Sequence, residues 1–139
     1  MAQLVRELMA EPVVTVTADA TLTDAARLMR DADIGGVIVV KRNKPVGVLT
    51  DRDIVVRGIA DNRMPATVTA GEICSTDVVS IAPDAEISQA IALMRRAAVR
   101  RLPVTEAGEL IGVLSLGELA IERDETSVLA DISSAEPNS

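Results

Sequence analysis

The chain has 139 residues, of which 14 are Lys or Arg and 21 Asp or Glu, for a formal charge of −7; it holds no Phe, Tyr, Trp or His and a single Cys. That length suits one compact domain or two small subdomains sharing a core, and 48% hydrophobic residues separate it from disordered chains. Without His, and with Cys74 alone, it lacks the usual general base, the Ser–His and Cys–His pairs, an internal disulfide and a multi-thiolate metal site, so no catalytic residue and no metal ligand set is expected.

The elements follow in chain order. Arg6, Glu7 and Glu11 interrupt the N-terminus, and the longest apolar run, Ile34 to Val40, is far short of a membrane span, so a soluble cytoplasmic protein is expected. Val13 to Thr17 reads as a short strand. Ala25, Leu28, Met29 and Ala32 then recur at helical spacing, behind a Thr21-x-x-Asp24 start signal. Two strands follow, Val37 to Lys41 and Val46 to Leu49, around the turn residues Arg42-Asn43-Lys44-Pro45, and a helix starts near Thr50. The same order returns: Val78 to Ala82, a stripe of Ile87, Ala90, Ile91, Met94, Ala97 and Ala98, strands at Leu102 to Thr105 and Leu110 to Leu114 around Gly108, and a helix near Ser115.

The return is an internal repeat. Residues 7–57 laid on 72–122 at a constant offset of 65 give 14 identities in 51 positions, against roughly 4 from composition. Each copy is a β-α-β-β-α unit. The expected organisation is a first copy with an N-terminal helix at 1–60, a linker at 61–69, a second copy at 70–123 and an acidic flexible tail at 124–139. Strands as apolar as Val37-Ile38-Val39-Val40 need cover on both faces, which predicts an α/β fold: a pseudo-twofold sandwich of two small sheets with outer helices and clefts at the seam. Residues 118–139 carry a net −5, leaving −2 on the rest, which argues against nucleic-acid binding. Helix stripes such as Ile87, Ile91 and Met94 predict an apolar face that pairs into a homodimer.

The tandem unit resembles the cystathionine β-synthase (CBS) domain pair, or Bateman module. The matching residues are Glu7-Leu8-Met9, Thr21-Leu22 leading to Ala25-Ala26 and Leu28-Met29, and Gly47-Val48-Leu49-Thr50-Asp51-Arg52-Asp53. In the second copy they are Ile87, Ala90, Met94, Arg101-Leu102-Pro103-Val104 and Gly112-Val113-Leu114-Ser115. The resemblance spans residues 4–123 and leaves no room for a catalytic domain. It implies a regulatory module that binds adenine nucleotides or related adenosyl ligands between the copies and pairs into a disk-shaped dimer.

Two readings of Thr50-Asp51-Arg52-Asp53 stand side by side. A helix start offers backbone N–H groups to an anion, the Thr50 hydroxyl can donate to ribose or phosphate, and Asp53 can accept from ribose hydroxyls. In the family being resembled this T-x-x-D holds ribose and phosphate. The same residues also form a capping box that needs no ligand. In the second copy Ser115 and Glu118 replace Thr50 and Asp53, so that site is ranked weaker or empty. Arg100 and Arg101 read either as a phosphate clamp or, with Arg95 and Arg96, as a solvated helix end; the first copy has Gly35 and Gly36 there. An adenine would lie among aliphatic residues: Val13, Val14, Thr15, Ile34 and Val37 in one copy, Val78, Val79, Ser80, Val99, Leu102 and Pro103 in the other. Cys74 stands where Met9 stands and reads as buried filler. The expected function is a stand-alone sensor of AMP or ATP, with no resident cofactor and an unidentified regulated protein as partner. The competing reading is a ligand-free dimeric interaction or stress-response adaptor.

Overall fold

The computed structural model describes residues 3–117 and 119; Glu118 and the acidic tail lie outside them. The described residues divide into two compact units, residues 14–78 and residues 3–13 together with 79–117 and 119.

In the unit of residues 14–78, β1 (Thr15–Thr17) pairs in parallel with β2 (Gly36–Lys41), and β2 pairs antiparallel with β3 (Lys44–Thr50). Between β1 and β2 runs α2 (Leu22–Ala32), α1 (Val5–Leu8) belonging to the other unit. Its start signal works as read: Asp24 N–H donates to Thr21 Oγ1 at 3.1 Å, and Thr21 N–H reaches the Asp24 carboxylate at 3.4 Å. Two more orphan N–H groups of its first turn go to the residues joining the copies, Leu22 to the Val68 carbonyl and Thr23 to that of Pro65. Leu22, Ala25 and Met29 face inward with Val37, Val39, Leu49 and Val68, a core of branched and small side chains without a ring. The hairpin turns at Arg42 and Asn43, with φ of 54° and 61°, the paired left-handed conformations of a two-residue turn. Lys44 and Pro45, read as turn residues, belong to β3.

After Thr50 the chain enters α3 (Asp51–Asp53), which widens at once into a π-helical stretch, Ile54–Ile59. Gly58 sits on it against Leu22, where a side chain would come within 2.8 Å of the Leu22 methyl. The unit closes with α4 (Ala70–Ile73), capped by Thr69 and Glu72.

The second unit repeats the scheme. Helix α5 (Ile87–Ala97) precedes the hairpin of β4 (Arg101–Glu106) and β5 (Glu109–Ser115), which turns at Ala107 and Gly108. Both hairpins carry a register shift at equivalent places, after Val39 and after Val104. The strand expected at 78–82 is reduced to one bridge, Ile81 with Val104. Pro103 explains the loss: it stands where Ile38 pairs with β1, and it has no N–H to give the ladder.

The helix preceding each copy packs in the unit built on the other copy. Helix α1 (Val5–Leu8) lies with α5 and β5, its Val5 fully buried beside Ile87, Leu102 and Leu114. Ala10 and Val113 exchange backbone hydrogen bonds of 2.8 and 3.2 Å. Helix α4 does the equivalent in the first unit, where Val48 and Ser75 exchange two of 3.0 Å. These crossings need glycine. A Cβ at Gly47 would run into Cys74 Sγ and stand 2.7 Å from the Ser75 carbonyl oxygen; one at Gly112 would stand 2.6 Å from Met9 Sδ. Cys74 and Met9 thus hold matching places, as the repeat predicts. Burial pushes the Cys74 thiol pKa up.

One expectation is corrected. Ile87 and Met94 are 1% and 3% exposed and sit in the core, and Ile91 packs against it, so that stripe is consumed inside its own unit. The large apolar side chains left exposed among the described residues are Val55, Val56, Ile59, Met64 and Leu116.

Candidate functional site

One end of the first sheet gathers the motif residues. Gly36, the first residue of β2, pairs with Thr50, the last of β3. The Asp51 N–H donates to the Gly35 carbonyl at 3.0 Å, so Gly35, Gly36 and Thr50 to Asp53 form one hydrogen-bonded cluster. Both glycines are buried.

The capping box is present. Asp53 N–H donates to Thr50 Oγ1 at 3.1 Å and Thr50 N–H to Asp53 Oδ2 at 2.9 Å. This does not exhaust either side chain. The Thr50 hydroxyl, accepting from Asp53, keeps its own proton to donate. Asp53 keeps Oδ1, which takes no hydrogen bond among the described residues. Both residues are half-buried, so these groups are held in place yet reachable. The two sequence readings are therefore compatible: the box that starts the helix holds both side chains in place and leaves each one polar group uncommitted. Arg52 between them is exposed, its N–H bonded to the Asp51 carboxylate at 2.8 Å.

The aliphatic candidates divide between core and surface. Val37 is 1% exposed and belongs to the core. Val14 and Ile34 are half-buried against that core, and Thr15 is half-buried on β1. Val13 is half-buried and falls in the other unit.

The second unit repeats the gathering with different chemistry. Arg101, opening β4, pairs with Ser115, closing β5, and the Leu116 N–H donates to the Arg100 carbonyl at 2.8 Å. Arg100 is exposed and Arg101 half-buried. Pro103 is fully buried and its carbonyl takes the Ile81 N–H at 3.0 Å, leaving it packing alone. Leu102 is likewise core, Val79 and Val99 pack against that core, Val78 is half-buried, and Ser80 is exposed with its Oγ 3.4 Å from Thr105 Oγ1. Glu118 lies outside the described residues, so the second motif is seen only to Gly117.

Sequence reading did not find Gly47 and Gly112 as contact points. The signal was there: both are glycine in the one register that aligns the copies.

The chain matches the family model for the CBS domain twice, over residues 5–58 and 70–124. The CBS domain-containing protein YhcV of Bacillus subtilis is 36% identical over 119 residues, covering 86% of this chain and 84% of that protein. Hypoxic response protein 1 of Mycobacterium tuberculosis is 34% identical over 125 residues, covering 89% and 87%. A crystal structure of Hypoxic Response Protein I with two coordinated zinc ions superposes with a TM-score of 0.79 at 34% identity, covering 85% of this chain and 97% of that one. The CBS domain pair of protein MJ0100, solved with 5′-methylthioadenosine and S-adenosylmethionine, gives 0.80 at 19% identity over 91% of this chain and all of the other, a likeness of fold. This chain has no His, and its described residues hold no group of three or more Cys, Asp and Glu placed to bind a metal. Among the described residues no helix is long and apolar enough to cross a membrane.

Proposed function

The chain belongs to the CBS domain family, whose members with this arrangement are small regulatory modules, and from that premise we propose that it is a cytoplasmic sensor of adenine nucleotides, AMP or ATP, or a related adenosyl ligand. The observation that carries the reading is the half-buried pair at the first-copy motif: a Thr50 hydroxyl proton and Asp53 Oδ1, adjacent and uncommitted. A carboxylate oxygen beside a hydroxyl donor suits ribose, whose two hydroxyls each both donate and accept. Gly35 and Gly36 bring no side chain to this end of the sheet. Thr15, Val14 and Ile34 supply the aliphatic part of an adenine surface. The ring has no aromatic partner to stack on, so affinity rests on apolar burial, offset by lost ligand freedom, and falls in the micromolar range. In the second unit Ser115 is the weaker counterpart of Thr50, and Arg100 and Arg101 are the cationic groups we assign to a phosphate at that second motif. The chain acts by regulation, not catalysis: the ligand binds two arrangements of the protein unequally and shifts the balance between them. We further propose that the protein works as a homodimer through the exposed face of Val55, Val56, Ile59 and Met64.

The test is calorimetric titration of AMP, ADP, ATP and S-adenosylmethionine into the wild type and into Asp53→Asn. Asparagine keeps one oxygen for the Thr50 N–H but replaces the second acceptor with an amide donor. Binding should weaken by roughly 1.5–3 kcal/mol, with little change in thermal stability. Equal affinity in the two proteins would remove Asp53 from the site. Absence of binding by all four would leave the ligand-free adaptor as the better account.

A further inference from the structure

The first unit holds a cavity of about 530 Å³ at the opposite end of its sheet from Thr50 and Asp53. Its walls are the end of β1 and the turn after it, the tip of the β2–β3 hairpin, and the start of α4. The volume lies in the range of small-molecule sites. Val40 and Ala18 give it an apolar part, and Lys41 and Arg42 stand at its exposed rim.

Two carboxylates also line it, and both are spent locally. Asp19 accepts the Thr17 hydroxyl at 2.7 Å. Glu72 accepts from the Thr69 N–H at 2.8 Å and the Thr69 hydroxyl at 3.1 Å, and it stands 3.8 Å from Arg63. These bonds, with Arg63, hold the Glu72 carboxyl below its ordinary pKa. The side chains of Lys41 and Arg42, by contrast, make no hydrogen bond or ion pair among the described residues. The four formal charges balance, but Asp19 and Glu72 already accept hydrogen bonds from neighbouring threonines, whereas the Lys41 and Arg42 donors at the rim are open to an anionic group.

The repeat supplies an internal comparison. At the positions of Lys41 and Arg42 the second copy has Glu106 and Ala107, in a hairpin turning at the same place. At the position of Gly71 the other unit has Arg6. Gly71 donates its N–H to the Ala18 carbonyl at 2.9 Å, and a Cβ there would stand 2.9 Å from that oxygen. The fold thus does not need this pair of cations at the hairpin tip: the second hairpin turns at the same place with Glu106 and Ala107 instead.

We propose that this cavity is a second ligand site, separate from the Thr50–Asp53 motif, for a small phosphomonoester: its phosphate is held by Lys41 and Arg42 and its body lies against Val40 and Ala18. Guanidinium and ammonium donors match phosphate oxygens, and a body smaller than a nucleoside fits the volume.

The experiment follows backbone amide shifts of the ¹⁵N-labelled protein during titration with ribose 5-phosphate, at constant ionic strength held with sodium chloride. Wild type should give saturable shifts confined to Thr17 to Asp19, Val40 to Arg42 and Gly71. The double variant Lys41→Glu, Arg42→Ala places the second copy's own turn residues there, so the hairpin is retained. It should bind the probe about tenfold or more weakly, one or two lost charge-assisted hydrogen bonds, while its response to AMP at Thr50 to Asp53 stays unchanged. Shifts that rise without saturating, or equal affinity in the variant, would overturn the proposal. Ribose without phosphate binding as well as the phosphomonoester would overturn it too.

Discussion

The glycine at each hairpin crossing can be probed on its own, because the two copies give different neighbours to the same substitution. At Gly47 an added methyl meets Cys74 Sγ and stands 2.7 Å from the Ser75 carbonyl oxygen. That oxygen is fixed by its hydrogen bond to the Val48 N–H, so neither neighbour can yield without moving α4 off the hairpin. At Gly112 the methyl meets the end of the Met9 side chain, Sδ at 2.6 Å and Cγ at 3.0 Å, with the Ala10 oxygen at a tolerable 3.3 Å. Methionine has three rotatable bonds and can swing aside. Gly47→Ala should therefore cost about 1–3 kcal/mol, the range for overpacking. Gly112→Ala should cost less than about 1 kcal/mol, since alanine also recovers some unfolded-state entropy. Without aromatic residues the assay is urea unfolding followed by far-UV circular dichroism. At about 1–2 kcal/mol per molar, Gly47→Ala should lower the midpoint by about 1 M. Adding Cys74→Ala should restore only part of it, because the Ser75 oxygen remains. Equal losses at the two glycines, or a larger one at Gly112, would show that the fixed Ser75 oxygen and the movable Met9 side chain do not set the difference.

Other outcomes follow from the same geometry. Glu72 has its pKa lowered by the Thr69 N–H and hydroxyl, so its contribution to stability is complete above its unfolded pKa and fades as pH falls through the folded value. Glu72→Gln should therefore differ most from wild type near pH 7 and converge with it in acid, as read from unfolding curves at several pH values; a constant gap would contradict this. Cys74 is 4% exposed with its thiol pKa raised by burial, so it should react with a thiol reagent slowly in native protein and at once in urea. Replacing Val55 and Ile59 by Glu should turn a dimer into a monomer in sedimentation without loss of helix signal, since both side chains are more than half exposed within the protomer.

Much of this was legible in the residues. The periodicity of Ala25, Leu28 and Met29 with the Thr21–Asp24 box located α2, and the alternation around Arg42 and Asn43 located the hairpin. A constant offset made the second copy readable from the first. Offset alone is blind to one thing: whether the helix before a copy packs at home or on the other unit, since the repeat relates α1 to α4 either way. Long-range packing decided that, with Val5 among Ile87, Leu102 and Leu114. The stripe of Ile87 and Met94 was read as exposed because sequence cannot tell a core face from a pairing face. The shortened strand at Ile81 was in principle readable, for Pro103 removes an N–H that its counterpart Ile38 possesses. At the motif the residues alone left capping and ligand binding as rivals; atom-level hydrogen bonding shows that one oxygen of Asp53 serves the cap and leaves the other open.

Whether an adenine nucleotide is held by the first-copy motif is decided by adding AMP and ATP to the ¹⁵N-labelled protein and following the amides of Gly35, Gly36 and Thr50 to Asp53. Saturable shifts are expected at these residues in the micromolar range, lost in Asp53→Asn. Unmoved amides there at millimolar nucleotide, or shifts confined to other parts of the chain, would contradict it.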